Sequence, residues 1–494
     1  MRTYCAALLL LVVTAETVPD PPSINHDDGV IVGEWRKSAG LTGPARDYAV
    51  FLGVPYAKAP TGKLRFRPPE PAPLPRGTWL GAKRTCMQIE RNPSIHTFGE
   101  EDCLVVNVFT PKYDSANLDV LVYIHGGAFM VGWGPSRGME YLMDHDVVLV
   151  TINYRLGALG FMTLGNDELP ANVGLLDQTA ALQWVRDYIG LFGGNSSSVT
   201  LAGNSAGSAS CLYHTLSPLS KGLFHKVMGT SGSPLNPWAM RRAGRESTLQ
   251  VASLLGCSYE TSTATLECLQ GEDATKIVDS TRYLMDWLKN PFAPFGPVVD
   301  AWAERPFLPA LPETLLKEGT HVADVPVMLS TVSHEGLYTA AEFVLRPTEL
   351  KKLDDHWDTA APSLLHFHDS NLSSVERVER ARKMRQHYLG PDTTLALGWE
   401  KLVQLMGDCS FGYGVSEHAR LLAAFQASPV YFYTFSYRGE NSLSVAESGG
   451  NTTNLGVSHA DDDMYPYGEP LTTENDIAMR KRFVLMWISF VTKS

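Results

Sequence analysis

A serine flanked by glycines is the residue with the clearest potential for chemistry. Gly203-Asn204-Ser205-Ala206-Gly207 lies between a strand-like run, 198–202, and a helix-like segment, 206–216. There the two glycines permit a sharp turn that lifts Ser205 above a sheet edge, and the helix N-terminus behind it favours negative charge. A glycine-flanked turn serine is the alternative for the pentapeptide alone. Its position between strand and helix favours a nucleophile.

A serine hydroxyl needs a base to become a nucleophile, and the base needs an acid that holds its tautomer. Of the 14 histidines, His459 is best placed, in a glycine-containing loop between the strand-like run 430–435 and the last helix. His418 falls in a helix before that run. His366 and His368 form a pair with no third metal ligand nearby. We therefore take His459 as the candidate base.

Glu335 is the candidate acid. It lies just beyond the strand-like run 325–331. The chain order Ser205, Glu335, His459 is the order that α/β-hydrolases use. Read alone, Glu335 would be a solvated loop carboxylate, so the assignment depends on this shared topology.

A third feature could stabilise the negative charge that develops on the oxygen of a substrate carbonyl. His125-Gly126-Gly127-Ala128 directly follows the strand-like run 119–124. Glycines there let backbone amides approach a substrate carbonyl, and the amide of Ala206 would be a further donor. A plain glycine turn is the alternative in isolation, but the serine turn beside it favours an oxyanion site.

These segments sit at the ends of short apolar runs that alternate with helical patterns. Such alternation predicts a mostly parallel twisted sheet with helices on both faces. No linker-like stretch interrupts it, so we expect one domain over residues 16–494. The runs of strand type are 119–124, 147–154, 198–202, 325–331 and 430–435.

Composition limits the possible functions. The chain has 494 residues, 44% of them hydrophobic, enough to bury a large core. The net charge of -12 would repel a phosphate backbone, so no nucleic-acid partner is expected.

The N-terminus predicts export. Arg2, the apolar run 6–13 and the small residue Ala15 have the pattern of a cleavable signal peptide over residues 1–15. The run is too short to span a bilayer, and a buried N-terminal strand is the alternative. We expect a secreted protein without a transmembrane segment.

Cysteines and sequons fit an oxidising compartment. The pairs Cys86/Cys103 and Cys257/Cys268 each enclose a short loop, a spacing compatible with disulfides. Cys211 is expected to be a buried thiol, and Cys409 has no obvious partner. Three sequons, the first of which could instead cap a turn, are candidate glycosylation sites: Asn195, Asn371 and Asn451.

Further motifs make the chain resemble the type-B carboxylesterases, a family of α/β-hydrolases that includes the cholinesterases. The similarity runs from about Asn25 to the C-terminus. The motifs that carry it are Phe51-Leu52-Gly53-Val54-Pro55-Tyr56-Ala57, Arg65-Phe66, Glu101-Asp102-Cys103-Leu104, Asn107-Val108, Asn153-Tyr154-Arg155 and Asn172-Val173-Gly174-Leu175 with Asp177-Gln178.

This resemblance implies a serine hydrolase that cleaves small carboxylic esters through an acyl-enzyme, without cofactor or metal. The implied residues are the triad Ser205, Glu335 and His459, the oxyanion donors Gly127, Ala128 and Ala206, and the disulfides Cys86–Cys103 and Cys257–Cys268. Ser231 matches a position often found behind the acid. The family also contains inactive adhesion proteins, and a binding module is the alternative. The oligomeric state is not predicted.

Four features are specific to this chain. Asn204 stands where many members have glutamate, which removes a negative charge near the base. The segment 87–102 has no tryptophan, so choline specificity is not expected. Members usually continue beyond Phe490, so a fragment or a shortened product is one expectation. His459-Ala460-Asp461-Asp462-Asp463 resembles arthropod more than vertebrate esterases.

Overall fold

The structure, a computed structural model, describes residues 20–89, 97–114, 116–134, 139–242, 244–319, 323–391, 393–468 and 470–493. The predicted signal peptide, residues 1–15, lies outside the described residues.

Strands are concentrated in the first half of the chain. They are β1 (Ser23–His26), β2 (Gly29–Val32), β3 (Glu34–Lys37), β4 (Asp47–Pro55), β5 (Gly77–Trp79), β6 (Gln88–Ile89), β7 (Thr97–Phe98), β8 (Val105–Thr110), β9 (Leu118–Ile124), β10 (Val147–Ile152), β11 (Gly194–Asn204), β12 (Lys226–Thr230), β13 (Val327–Val332) and β14 (Val430–Phe435).

Most of the helices lie in the second half of the chain. They are α1 (Gly157–Phe161), α2 (Val173–Tyr188), α3 (Ala206–Leu216), α4 (Gly244–Leu254), α5 (Ser262–Gly271), α6 (Ala274–Ser280), α7 (Pro312–Lys317), α8 (Leu337–Val344), α9 (Pro347–Asp355), α10 (Trp357–Leu364), α11 (Ser374–Leu389), α12 (Trp399–Gly407), α13 (Tyr413–Phe425), α14 (Leu443–Glu447) and α15 (Glu474–Lys493). A π-helical turn, Asp408–Gly412, joins α12 to α13.

The large sheet of the described residues has nine strands in the order β14-β13-β12-β11-β9-β10-β8-β4-β3. The strands from β14 to β10 in that order are parallel to one another. The remaining pairs at the other edge are antiparallel. A mostly parallel sheet is thereby confirmed. The antiparallel edge and β12 were not predicted.

Apolar side chains alternate between two layers, which explains the continuous apolar runs. Along β9, Val120 and Val122 point into one buried cluster, whereas Leu121 and Tyr123 point into another. Neighbouring side chains on a strand face opposite sides of the sheet, so a strand covered on both faces is apolar throughout. Helices α2 and α3 pack on the first layer, and α15 packs on the second.

Both expected disulfides are present, Cys86–Cys103 and Cys257–Cys268. Cys211 is buried and free, as predicted, and Cys409 is free and half-buried. No helix among the described residues combines the length and apolarity needed to cross a membrane.

Candidate active site

Ser205 lies at the turn between β11 and α3, where the sequence predicted it. Its backbone has φ 57° and ψ -121°, a conformation that L-residues rarely adopt. Its amide donates a hydrogen bond to the carbonyl of Thr230, 2.8 Å away, at the end of the neighbouring β12. The turn is therefore held in a strained conformation by the sheet itself.

Glycines make this turn possible because the backbone is crowded around it. A Cβ on Gly207 would lie 2.0 Å from the carbonyl oxygen of Ile124, and one on Gly232 would lie 1.9 Å from that of Ser205. A side chain at either position would force the turn apart.

Gly126 offers a selective test of this packing. Its Cβ would lie 2.6 Å from the carbonyl oxygen of Asn204 and 3.1 Å from the Cβ of Ser205. We expect Gly126→Ala to separate the glycine loop from the serine and to lower kcat/KM by about 100-fold, since small misplacements cost this much. Gly190→Ala is the control, because its Cβ would meet nothing within 4 Å. Equal kcat/KM values for the two variants would contradict the prediction.

Glu335 and His459 meet although 124 residues separate them. The imidazole Nδ1 lies 2.7 Å from Oε2 of Glu335, and both side chains are buried. The other carboxylate oxygen accepts hydrogen bonds from the Ser231 hydroxyl at 2.6 Å and the Val332 amide at 2.9 Å. Glu335 is thus not a solvated loop carboxylate, and its orientation is set from three sides.

Aromatic rings enclose the imidazole. The ring of Phe411 lies 4.1 Å from that of His459, and the ring of Tyr338 lies 5.2 Å away, between centroids. Trp238 packs on Phe411 at 5.7 Å and donates its indole N–H to the carbonyl of Ser410. This apolar wall strengthens the electrostatic interaction between base and acid. Sequence reasoning missed these residues, because no motif marks them.

The end of β12 connects the serine to the acid. Thr230 binds the Ser205 amide, Ser231 binds Glu335, and Gly232 contacts the Ser205 carbonyl. Among the described residues, no hydrogen bond joins the Ser205 hydroxyl directly to His459. In many hydrolases this bond tightens only with substrate bound.

The glycine loop after β9 presents unused donors. Gly127 has φ 108° and Ala128 has φ 57°. The amides of Gly127, Ala128 and Ala206 donate no hydrogen bond to another described residue. Backbone N–H groups without partners are free to donate to a developing negative charge.

Comparison with known proteins decides the family. The model of the carboxylesterase family matches residues 20–494 of the chain. The chain belongs to the carboxylesterase family. It is accordingly a carboxylic-ester hydrolase with the α/β-hydrolase fold.

Insect esterases are among the relatives of this carboxylesterase, in line with its arthropod-like motif. It is 38% identical to venom carboxylesterase-6 of Apis mellifera over 479 residues, 95% of this chain and 85% of the relative. It is 34% identical to the juvenile hormone esterase of Tribolium castaneum over 503 residues, covering 96% and 83%. The crystal structure of juvenile hormone esterase from Manduca sexta, with OTFP covalently attached, superposes with a TM-score of 0.82 at 26% identity, covering 96% and 90%.

The other histidines considered as the base, His418, His366 and His368, make packing or hydrogen-bond contacts elsewhere in the carboxylesterase. His418 is buried on α13, with Nδ1 3.0 Å from the Ser233 hydroxyl. His366 packs edge-on against Phe292, and burial holds its pKa well below the usual range. His368 lies 3.2 Å from the guanidinium of Arg241.

Asn204, the position where many members carry glutamate, is also buried. Its side-chain amide donates to the hydroxyl of Thr230 at 3.0 Å. A neutral amide therefore ties the residue before Ser205 to β12, and it brings no charge towards the base.

Three acidic residues follow His459 in the carboxylesterase sequence. Asp461 accepts hydrogen bonds from the Ser458 and Leu443 amides. Asp463 accepts them from the hydroxyls of Tyr123 and Tyr467, and burial raises its pKa to about 6.

Asp462, between them, is fully buried, and neither carboxyl oxygen has a hydrogen-bond partner among the described residues. Burial, and then the charges of Asp463 and Glu335, raise its pKa well above the usual range.

This burial predicts a pH-dependent stability. A carboxyl whose pKa is higher in the folded than in the unfolded chain favours folding when protonated, and that stability is lost as pH rises above the unfolded value near 4. Asparagine cannot ionise. We expect Asp462→Asn to raise Tm by roughly 2–4 °C at pH 7.5, with the difference vanishing near pH 4.

Thermal unfolding at one scan rate measures this effect. Asp167→Asn, at an exposed position, should leave Tm unchanged at both pH values. A lower Tm of Asp462→Asn at pH 7.5 would contradict the prediction.

Proposed function

We propose that Ser205, His459 and Glu335 are the nucleophile, base and acid of this carboxylesterase, and that its substrates are small carboxylic esters. The observation that carries the proposal is the buried hydrogen bond between His459 and Glu335. Glu335 follows β13 and Ser205 follows β11 on its strained turn, so both residues come from the carboxyl ends of parallel strands. The covalently attached OTFP of the Manduca sexta enzyme supports covalent chemistry in a related protein.

The first half-reaction forms an ester with the enzyme. Ser205 Oγ attacks the ester carbonyl carbon while His459 takes the hydroxyl proton. The carbonyl oxygen becomes an oxyanion, to which the amides of Gly127, Ala128 and Ala206 donate. Collapse breaks the carbonyl–alkoxy bond, and the imidazolium returns the proton to the departing alcohol. Glu335 stabilises the imidazolium throughout.

The second half-reaction releases the acid. Water attacks the acyl carbon while His459 takes its proton, and the same amides hold the second oxyanion. The Ser205–acyl bond breaks, Ser205 regains its proton from the imidazolium, and the carboxylic acid leaves. No group beyond these side chains, the amides and water is needed to balance either step.

Labelling with a fluorophosphonate tests the nucleophile. Only an activated serine reacts quickly with this reagent. We expect one phosphonyl group per chain, located by peptide mass spectrometry on Ser205. Labelling at another serine would overturn the assignment, and a lack of labelling would favour the inactive binding module.

We further propose that the protein is secreted and glycosylated. The two disulfides suit an oxidising compartment. Asn371 and Asn451 are exposed and accessible to a glycan. The side chain of Asn195 accepts a hydrogen bond from the Ser197 amide, so this sequon also forms a local turn. A mass shift after enzymatic deglycosylation of protein secreted from insect cells tests this; an unglycosylated or cytosolic product would overturn it.

A further inference from the structure

A cavity of about 930 Å³ lies against Glu335. Its wall includes Glu335 and neighbouring residues at the ends of β13 and β14, and it continues along α12 and α13. Ser205 and His459 do not line it. The volume is in the range that holds a drug-sized molecule. Neither the proposed mechanism nor the comparisons assign it a role.

The chemistry of this wall favours a cation. Glu400 and Asp408 line the cavity and form no ion pair with a described residue. The described residues of the wall include no lysine or arginine. Burial lowers the pKa of His334, the one histidine among the described residues of the wall, which favours its uncharged form. The net charge of -12 adds to the attraction of a positive ligand.

Aromatic rings on the same wall favour an organic cation over a bare ion. Tyr388, Trp399 and Tyr413 all line the cavity. Tyr388 donates its hydroxyl to Asp408 at 3.0 Å, which fixes this ring beside the carboxylate. Ammonium groups bind well over such rings, and the rings provide contact area for an apolar body.

The cavity shares two structural elements with the catalytic groups. The π-helical turn 408–412 lines the cavity with Asp408 and Cys409, while its Phe411 packs on His459. Helix α12 is packed directly on the turn that carries Glu335, since a Cβ on Gly336 would lie 1.9 Å from the carbonyl oxygen of Val403. Single π-helical turns are often found at functional sites.

We propose that this cavity is an effector site for an organic cation with an apolar body, such as an arylalkylammonium ion, and that its occupation slows ester hydrolysis. A positive charge beside Glu335 opposes the positive charge that develops on His459 in the transition state. The effect therefore falls on kcat rather than KM. The slowing, though not the binding, rests on the proposed roles of Glu335 and His459.

Calorimetric titration with 4-phenylbutylammonium tests the binding, with 4-phenylbutan-1-ol as the uncharged control. We expect one site on the native enzyme and binding of the alcohol weaker by about tenfold or more. The double variant Glu400→Gln/Asp408→Asn should bind the ammonium ion more weakly by a similar factor. Glu379→Gln changes an exposed acid outside the wall and should bind the ammonium ion with native affinity. Equal binding of amine and alcohol, or undiminished binding by the double variant, would overturn the proposal.

Kinetics with p-nitrophenyl acetate test the coupling. At saturation, the ammonium ion should lower kcat of the native enzyme by about threefold or more, with KM unchanged. Measured against its own basal kcat, the double variant should show no such decrease. An unchanged kcat, or a rise in KM alone, would overturn the effector role. Since calorimetry needs no turnover, Ser205→Ala must still bind the ammonium ion, which separates failure of this site from failure of the triad.

Discussion

Replacing Ser205 with alanine is expected to lower kcat for p-nitrophenyl esters by about 10⁴- to 10⁶-fold. The hydroxyl is the atom that would form the acyl bond, and no neighbouring group in the strained turn replaces it. The residual rate would come from binding and from the oxyanion donors alone. Steady-state rates of the purified variant and the native enzyme measure the effect.

Two controls make the Ser205→Ala result specific. Ser253→Ala changes an exposed serine on α4, and its kcat should equal that of the native enzyme. Circular dichroism and Tm should show that Ser205→Ala is folded. Equal rates for Ser205→Ala and the native enzyme would refute the nucleophile assignment.

Replacing Glu335 with glutamine should lower kcat by about 10³- to 10⁴-fold. Glutamine keeps the size of the side chain but not its negative charge. Its amide can also donate to Nδ1 of His459, which would turn the proton to the wrong nitrogen. The loss should therefore fall on kcat, because His459 could no longer take the Ser205 proton.

Glu335→Asp tests the charge separately from the geometry. Aspartate retains the carboxylate at a longer distance from His459, so its kcat should lie between those of the native enzyme and Glu335→Gln. A kcat of Glu335→Gln within tenfold of the native value, in a variant of unchanged Tm, would contradict the proposed role.

Much of the fold and site could be predicted from contiguous stretches of sequence. Strands β10 and β13 are buried along their whole length, β9 and β11 are buried in their C-terminal parts, and β14 is an edge strand of the sheet. All five were correctly predicted to be strands. Pro326 shortens one of them, because β13 begins only at Val327. The antiparallel strands β4 and β8 were not recognised, since neither a turn motif nor strict alternation marks them.

The surroundings of His459 could not be predicted, because they are formed by residues that are distant in sequence. Phe411 contacts His459 from a π-helical turn 48 positions earlier in the sequence. Within the part of the chain that the structure describes, Asp462 has no hydrogen-bond partner, although its neighbours do. Nothing in the residue types distinguishes Phe411 from other core phenylalanines, or Asp462 from the two acids beside it. Their roles depend on which surfaces pack together.

The sequence by itself determined the serine turn, the donor loop, the order of the three candidate catalytic residues and the alternation of strand and helix. These features follow from local backbone preferences and hydrophobic periodicity, which act within a few residues. Only the tertiary structure decided that Ser231 and Val332 both hold Glu335, that aromatic rings enclose His459, and that an acidic cavity lies against the acid. Those features arise from side chains distant in sequence, whose distances are set by the packing of helices on the sheet.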